Sequence, residues 1–209
     1  MNVRFDDTTP SPIHLTVEFR FANGASAEFQ EDDEERVGDA LRLLAAPHVF
    51  AQPHVLLASQ HRASLIPCKG LDMILARTAA PLPLIFPLSH PAGLFDFVEQ
   101  PIFWPHGDSA APEDSSRQLR MRSSHLEIRT LGGWTVSLQA AAMFRGNVLD
   151  ERQFFAHLPT LPSVPFRLQE GGFGLVNTAN IVCVNASPRP EALPDVFLPL
   201  TNADGIWRS

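Results

Sequence analysis

A hairpin pattern occurs twice in this chain and limits the folds that the chain can adopt. Residues 15–29 read LTVEFRFANGASAEF, and residues 126–138 read LEIRTLGGWTVSL. In both stretches apolar residues alternate with polar ones on either side of a short glycine-containing segment, which is typical of two antiparallel strands with one buried face. The match includes outward-facing polar positions, because the Glu-x-Arg of the first copy recurs in the second. The pattern therefore predicts two similar units within one chain.

The loop of each hairpin is predicted to contain three residues. A two-residue turn would place Phe19 opposite Glu28 and would mix apolar and polar side chains on one face. A loop of Ala22-Asn23-Gly24 instead places Phe19 opposite Ala27, and it puts the glycine in the left-handed conformation that glycine tolerates. The same rule assigns the second hairpin the loop Leu131-Gly132-Gly133.

The similarity continues beyond the hairpins. EERVGDALRLLAA (34–46) predicts a helix that buries Val37, Leu41 and Leu44, and NVLDERQFFAHL (147–158) predicts its counterpart. The spacing between matched residues stays between 109 and 112. Further strands are expected at 53–59 and 63–76 in the first unit and at 165–170 and 173–185 in the second, with last extended segments at 85–95 and 196–207.

We therefore predict an α+β fold that arose by tandem duplication. Each unit would hold a β-hairpin, a helix and two to three further strands in a strongly bent antiparallel sheet, and the units would be related by a pseudo-twofold arrangement. The alternative is two unrelated α+β halves. The expected divisions are an N-terminal extension at 1–12, a first unit at 13–100, a linker at 101–122 and a second unit at 123–209.

Composition narrows the classes of function. The net charge is −7 and there is a single lysine, Lys69, which argues against a nucleic-acid partner because such binding depends on phosphate neutralisation. No apolar run approaches the roughly 20 residues that span a bilayer. The N-terminal sequence lacks the apolar region of a secretory signal, and Cys68 and Cys183 do not make a disulfide framework. These features predict a cytoplasmic protein.

No pattern in the sequence indicates a cofactor or a metal site. Ser89 and His90 are adjacent on an extended segment, where neighbouring side chains point to opposite faces, so they do not make a ready catalytic Ser–His dyad. His48, His54, His61 and Cys68 are suitable zinc ligands, but they recur at six or seven residues, without the close pairs of a structural zinc site. Whether these four converge in space is left open.

The expected function is that of a non-enzymatic module that binds a protein or a small molecule in a cleft between the two units. Self-association of the chain is left open. The alternative is a hydrolase-like or metal-dependent enzyme with a dispersed site. The residues that would form a polar cleft are His61, Cys68, Asp72, His90 and Asn202.

The recurring charged residues suggest one contact between the units. Glu18 would pair with Arg129, and Glu127 would pair with Arg20, across the pseudo-twofold axis. Such pairs fix orientation more securely than they add stability. The alternative is that all four residues lie on a solvated strand face.

Overall fold

The computed structural model describes residues 14–45, 48–58, 63–79, 95–97, 122–142 and 158–187. In these ranges one α-helix, α1 (Glu34–Leu44), accompanies eleven strands, so the described chain is a sheet-rich α+β fold. The strands are β1 (Leu15–Phe21), β2 (Ser26–Glu31), β3 (His54–Ala58), β4 (Ala63–Pro67), β5 (Leu71–Thr78), β6 (Phe95–Phe97), β7 (Arg122–Thr130), β8 (Thr135–Ala142), β9 (Ser163–Arg167), β10 (Gly172–Asn177) and β11 (Ile181–Ser187).

Nine of the described strands share one sheet, in the order β11-β7-β8-β6-β9-β10-β5-β1-β2. The other two, β3 and β4, pair only with each other. We call β1 to β6 with α1 the first unit and β7 to β11 the second. The units are joined within the large sheet at two places. β10 of the second unit pairs antiparallel with β5 of the first, and β6 of the first lies between β8 and β9 of the second, antiparallel to β8 and parallel to β9.

Both hairpins adopt the predicted register. Val17 lies opposite Phe29 and Phe19 opposite Ala27, so the apolar side chains share one face of the first hairpin. Gly24 and Gly133 have φ angles of 81° and 79°, the left-handed conformation that the three-residue loops require. The loop prediction is confirmed for both hairpins.

The second unit repeats the strand pairing of the first. Phe19 lies opposite Ile74 where β1 meets β5, and Ile128 lies opposite Val184 where β7 meets β11. Each pairing has a β-bulge at the equivalent position. In the first unit the bulge lies in β5, opposite Arg20 and Phe21, and in the second it lies in β11, opposite Arg129 and Thr130. The residues left without a partner at these bulges are Asp72 and Val182.

The smaller hairpins, β3–β4 and β9–β10, also have equivalent registers. Val55 lies opposite Ile66 in the β3–β4 pair, and Val164 lies opposite Val176 in the β9–β10 pair. Every residue of the second pair is 109 or 110 positions beyond its counterpart in the first. A residue of one unit therefore has an identifiable counterpart in the other, and the two can be compared directly.

Helix α1 forms where the sequence predicted it. Val37, Leu41 and Leu44 are buried, and the side chain of Asp33 accepts a hydrogen bond from the N–H of Arg36 at the first turn. The helix ends at Leu44 rather than at residue 46. The predicted helix at 147–158 lies outside the described residues, apart from Leu158, which begins a short 3₁₀ turn.

Two predicted strands are interrupted in the structure. A 3₁₀ turn, Cys68–Gly70, divides the segment 63–76, and a second turn, Thr178–Asn180, divides 173–185. Both turns redirect the chain between adjacent antiparallel strands, which periodicity alone does not reveal.

The remaining predicted segments fall largely outside the described residues. These are the last extended segments at 85–95 and 196–207 and the linker at 101–122; only Phe95 and Arg122, which begin β6 and β7, are described.

Within the described ranges the buried residues form two cores, one in each unit. Helix α1 covers the first core, which also takes in Phe173 and Leu175 from β10 of the second unit. The second core takes in Met73 and Leu75 from β5 of the first unit. The β5–β10 pair therefore contributes side chains to both cores.

Candidate functional site

The tips of the two long hairpins are in direct contact. The indole Nε1–H of Trp134 donates a hydrogen bond of 3.0 Å to the carbonyl of Phe21. The N–H of Gly132 donates one of 2.6 Å to Oδ2 of Asp72. A β-carbon at Gly132 would lie only 2.3 Å from the oxygen of Phe21, so the described contacts leave no room for a side chain there.

Asp72 reaches this junction because it occupies the bulge of β5, where the extra residue leaves the regular ladder. Its side chain is fully buried, and Oδ1 has no hydrogen-bond partner among the described residues. The carboxyl group thus joins the units through one oxygen, towards Gly132.

Two asparagines hold β10 against β5. The side-chain amides of Asn177 and Asn180 both donate to the carbonyl of Leu71, at 2.8 and 3.0 Å. Asn177 also caps the following turn, because its Oδ1 accepts from the N–H of Ala179. Sequence reasoning missed both asparagines. Their counterparts in the first unit, Pro67 and Gly70, have no amide side chain to make the equivalent bonds.

The recurring charged residues pair within their own unit rather than between the units. Nε of Arg20 lies 2.7 Å from Glu18, and Arg77 on the neighbouring strand lies 3.0 Å from the same carboxylate. Nε of Arg129 lies 3.0 Å from Glu127. The hypothesis of reciprocal pairing therefore differs from the observed arrangement, because side chains two residues apart on one strand face are already neighbours.

Arg20 does contact the other hairpin, but through an aromatic ring. Its guanidinium carbon lies 4.8 Å from the ring centroid of Trp134.

For Glu18, burial alone would raise the pKa, but the hydrogen bonds and charges of Arg20 and Arg77 outweigh it and hold the pKa below its ordinary value.

The residues suggested for a polar cleft are not brought together in the described structure. Cys68 is buried in the first core, and burial raises the pKa of its thiol. Asp72 lies at the hairpin junction. His61, His90 and Asn202 lie outside the described residues. Among the residues that the structure describes, no three His, Cys, Asp or Glu side chains form a group that could hold a metal ion.

The β3–β4 hairpin presents an exposed apolar surface. Leu56 and Leu65 lie directly opposite each other, and each is 59% exposed. The exposed residues on the same side of the two strands form what we call the hairpin face: His54, Leu56, Ala58, Ala63, Leu65 and Pro67. The opposite side is anchored in the first core by Val55 and Ile66. The hairpin is therefore held firmly while its other face meets solvent.

The strand of the second unit that corresponds to β4 is buried. Leu175, the counterpart of Leu65, is only 1% exposed, and all six residues of β10 are buried. The difference follows from strand pairing. β10 pairs with β5 on the side away from β9, whereas no described strand pairs with β4 on the side away from β3.

Strand β11 has one partner strand among the described residues, whereas its counterpart β5 has two. Its counterpart β5 lies between two strands, and its residues are buried except for Arg77. β11 pairs with β7 alone among the described strands, and Val182 is 52% exposed. The molecule thus leaves one apolar face on β4 and one strand edge on β11 uncovered by the described chain.

Comparisons of this chain with protein-family models, with curated proteins and with solved structures found no match. Among the described helices, none is long and apolar enough to cross a membrane.

Proposed function

We propose that this protein is a protein-interaction module and that its partner docks on the hairpin face. The observation that supports this proposal is the pair Leu56 and Leu65, two large apolar side chains that face solvent next to each other at 59% exposure each. Contiguous exposed apolar residues commonly mark interaction surfaces. Uncharged neighbours extend the patch, and His54 is its only titratable side chain.

The arrangement of the units also supports this choice of surface. The sequence suggested a cleft between the units, but the described junction is filled by direct contacts among Phe21, Asp72, Gly132 and Trp134. The hairpin face lies elsewhere and is held by a packed core, so a partner would meet a preformed surface.

We further propose that the two units arose by tandem duplication and retain a pseudo-twofold relationship. The equivalent registers of the hairpins, of the β1–β5 and β7–β11 pairs and of the smaller hairpins support it, as do the bulges at equivalent positions. On this view the hairpin face corresponds to a surface that became buried in the second unit and stayed available in the first.

A reducing compartment suits this proposal. Cys68 and Cys183 are both free thiols, as is usual for cysteines in a reducing compartment. We propose that the protein is cytoplasmic on this ground.

Site-specific photocrosslinking in the natural host cells tests the docking surface. A photoreactive residue would replace Leu56 or Leu65 in the full chain, and the control would replace Glu28, which is exposed on β2. We expect discrete crosslinked adducts from the two leucine positions and none from the control. Adducts from neither leucine position, or equal adducts from all three, would contradict the proposal.

A further inference from the structure

The uncovered surface of β4 and the uncovered edge of β11 are complementary. Their counterparts, β10 and β5, already pair with each other in the centre of the large sheet. Phe173 lies opposite Ala76, Gly174 opposite Leu75 and Leu175 opposite Ile74 in that pair.

If β4 and β11 paired in the same register, Ala63 would lie opposite Ala186 and Ser64 opposite Asn185. Leu65 would then lie opposite Val184. This pairing would bury Leu65 beside the second core, in the way that Leu175 is buried in the first core.

Strand edges are commonly guarded by charged side chains, by proline or by bulges. β4 reads ASLIP and β11 reads IVCVNAS, so neither contains a charged residue. The proline of β4 stands at its last position and the bulge of β11 lies at Val182, so both are outside the segments Ala63–Leu65 and Val184–Ala186 that would pair. Two unguarded edges that fit each other on one chain favour association between identical chains, because every copy supplies both.

Within one chain the described structure leaves the two edges unpaired. Pro67 and Gly70 stand where the second unit has Asn177 and Asn180, so any pairing of β4 would rest on backbone hydrogen bonds and on the burial of Leu65. Among the described residues, β4 and β11 each keep one edge without a partner strand.

We infer that the partner of the hairpin face is a second copy of this chain, with β4 of each copy pairing antiparallel with β11 of the other in the register of the β10–β5 pair. The exchange is reciprocal, so it closes a twofold dimer and leaves neither edge free. This inference rests on the proposed function, since it names the partner of the same surface.

Engineered cysteines test the register between copies. One tagged chain carries Ser64→Cys and another carries Asn185→Cys, both with Cys183→Ser so that the partly exposed native thiol is removed; Cys68 is fully buried and is kept. A second pair uses Ala63→Cys and Ala186→Cys. Adjacent antiparallel pairs alternate between two Cα separations, so the two pairs together sample both geometries.

The controls separate pairing between copies from other contacts. Ser64→Cys is also mixed with a chain carrying Asp39→Cys, which is exposed on α1. A single chain carrying both Ser64→Cys and Asn185→Cys is oxidised at high dilution to detect a bond within one copy. Circular dichroism confirms that each variant keeps the fold of its Cys183→Ser parent.

We expect mild oxidation to give a mixed disulfide of twice the chain mass for at least one of the two matched pairs, and at least tenfold less for the mismatched pair. A bond that forms only within the doubly substituted chain would overturn the inference, because β4 would then close on its own β11. Folded variants that form no matched disulfide would overturn it as well.

The outcome is distinguishable from a failure of the proposed function. Photocrosslinks from Leu56 and Leu65 to a different protein would support the docking surface and overturn the second copy as its partner. Photocrosslinks from neither position would contradict both.

Discussion

Trp134 on the second hairpin donates its indole N–H to the carbonyl of Phe21 on the first, at 3.0 Å. The bond joins residues 113 positions apart and closes the junction between the two hairpin tips. Arg20 stacks over the same indole ring, so one side chain combines a hydrogen bond with a cation–π contact. The two hairpins are therefore linked by specific contacts and not by apolar packing alone.

Replacement of Trp134 by phenylalanine tests this link. Phenylalanine keeps an aromatic ring but has no N–H donor, so the carbonyl of Phe21 loses the bond between the hairpins and keeps only the one from the N–H of Gly24. We expect the free energy of unfolding to fall by about 1–2 kcal/mol, measured by urea denaturation. An unchanged free energy of unfolding would contradict the role of Trp134 in joining the hairpins.

Replacement of Gly132 by alanine tests the close packing at the junction. The added β-carbon would lie 2.3 Å from the oxygen of Phe21 and 2.8 Å from Oδ2 of Asp72, so one of the hairpins must shift. We expect a loss of about 1–3 kcal/mol. Gly38→Ala is the matched control. Gly38 lies within α1 with no atom within 4 Å of an added β-carbon, and alanine there should raise stability by up to about 1 kcal/mol. Equal effects of the two substitutions would contradict the packed junction.

Asn177→Asp tests the fastening of β10 to β5. Aspartate keeps the oxygen that caps Ala179 but replaces the amide donor that reaches Leu71 with a buried acceptor facing another acceptor. We expect a loss of about 2–4 kcal/mol, again by urea denaturation. Asn23→Asp is the control, because Asn23 is exposed in the first hairpin loop and uses only its oxygen, to accept from Ala25. A small loss at both positions would mean that the amide of Asn177 does not hold the strands.

Glu18→Gln tests the ion pairs on the first hairpin. The folded-state pKa of Glu18 is lowered, so its carboxylate contributes stability that is present above the ordinary carboxyl pKa and is lost as the pH falls through the folded value. We expect the substitution to cost about 1–2 kcal/mol at pH 7 and to cost progressively less below about pH 4. Denaturation curves at a series of pH values measure this. A cost that does not change with pH would show that the charge of Glu18 is not the stabilising feature.

The local features of this fold could be predicted from the sequence, whereas the contacts between distant segments could not. The register of the first hairpin follows from alternation at Val17 and Phe19 and from a glycine placed where φ must be positive. Helix α1 follows from apolar residues at helical spacing. In both cases the deciding interactions lie within about 15 residues of each other.

The junction residues needed information that periodicity does not carry. Asp72 reaches Gly132 because a bulge turns it out of the ladder, and Asn177 reaches Leu71 across 106 positions. Leu65 and Leu175 occupy equivalent positions, yet one is exposed and the other buried, because strand partners decide burial and a single strand does not specify its partner.

The exposure of the hairpin face can be measured by the rate of thiol labelling at positions 65 and 175. Leu65→Cys and Leu175→Cys would each be made in a Cys183→Ser chain and treated with a maleimide, at a dilution where ultracentrifugation shows single chains. The structure predicts that Leu65→Cys reacts at a rate close to that of an unfolded control, and that Leu175→Cys reacts at least a hundredfold more slowly. Equal protection of the two thiols would contradict the claim that the hairpin face is left uncovered for a partner.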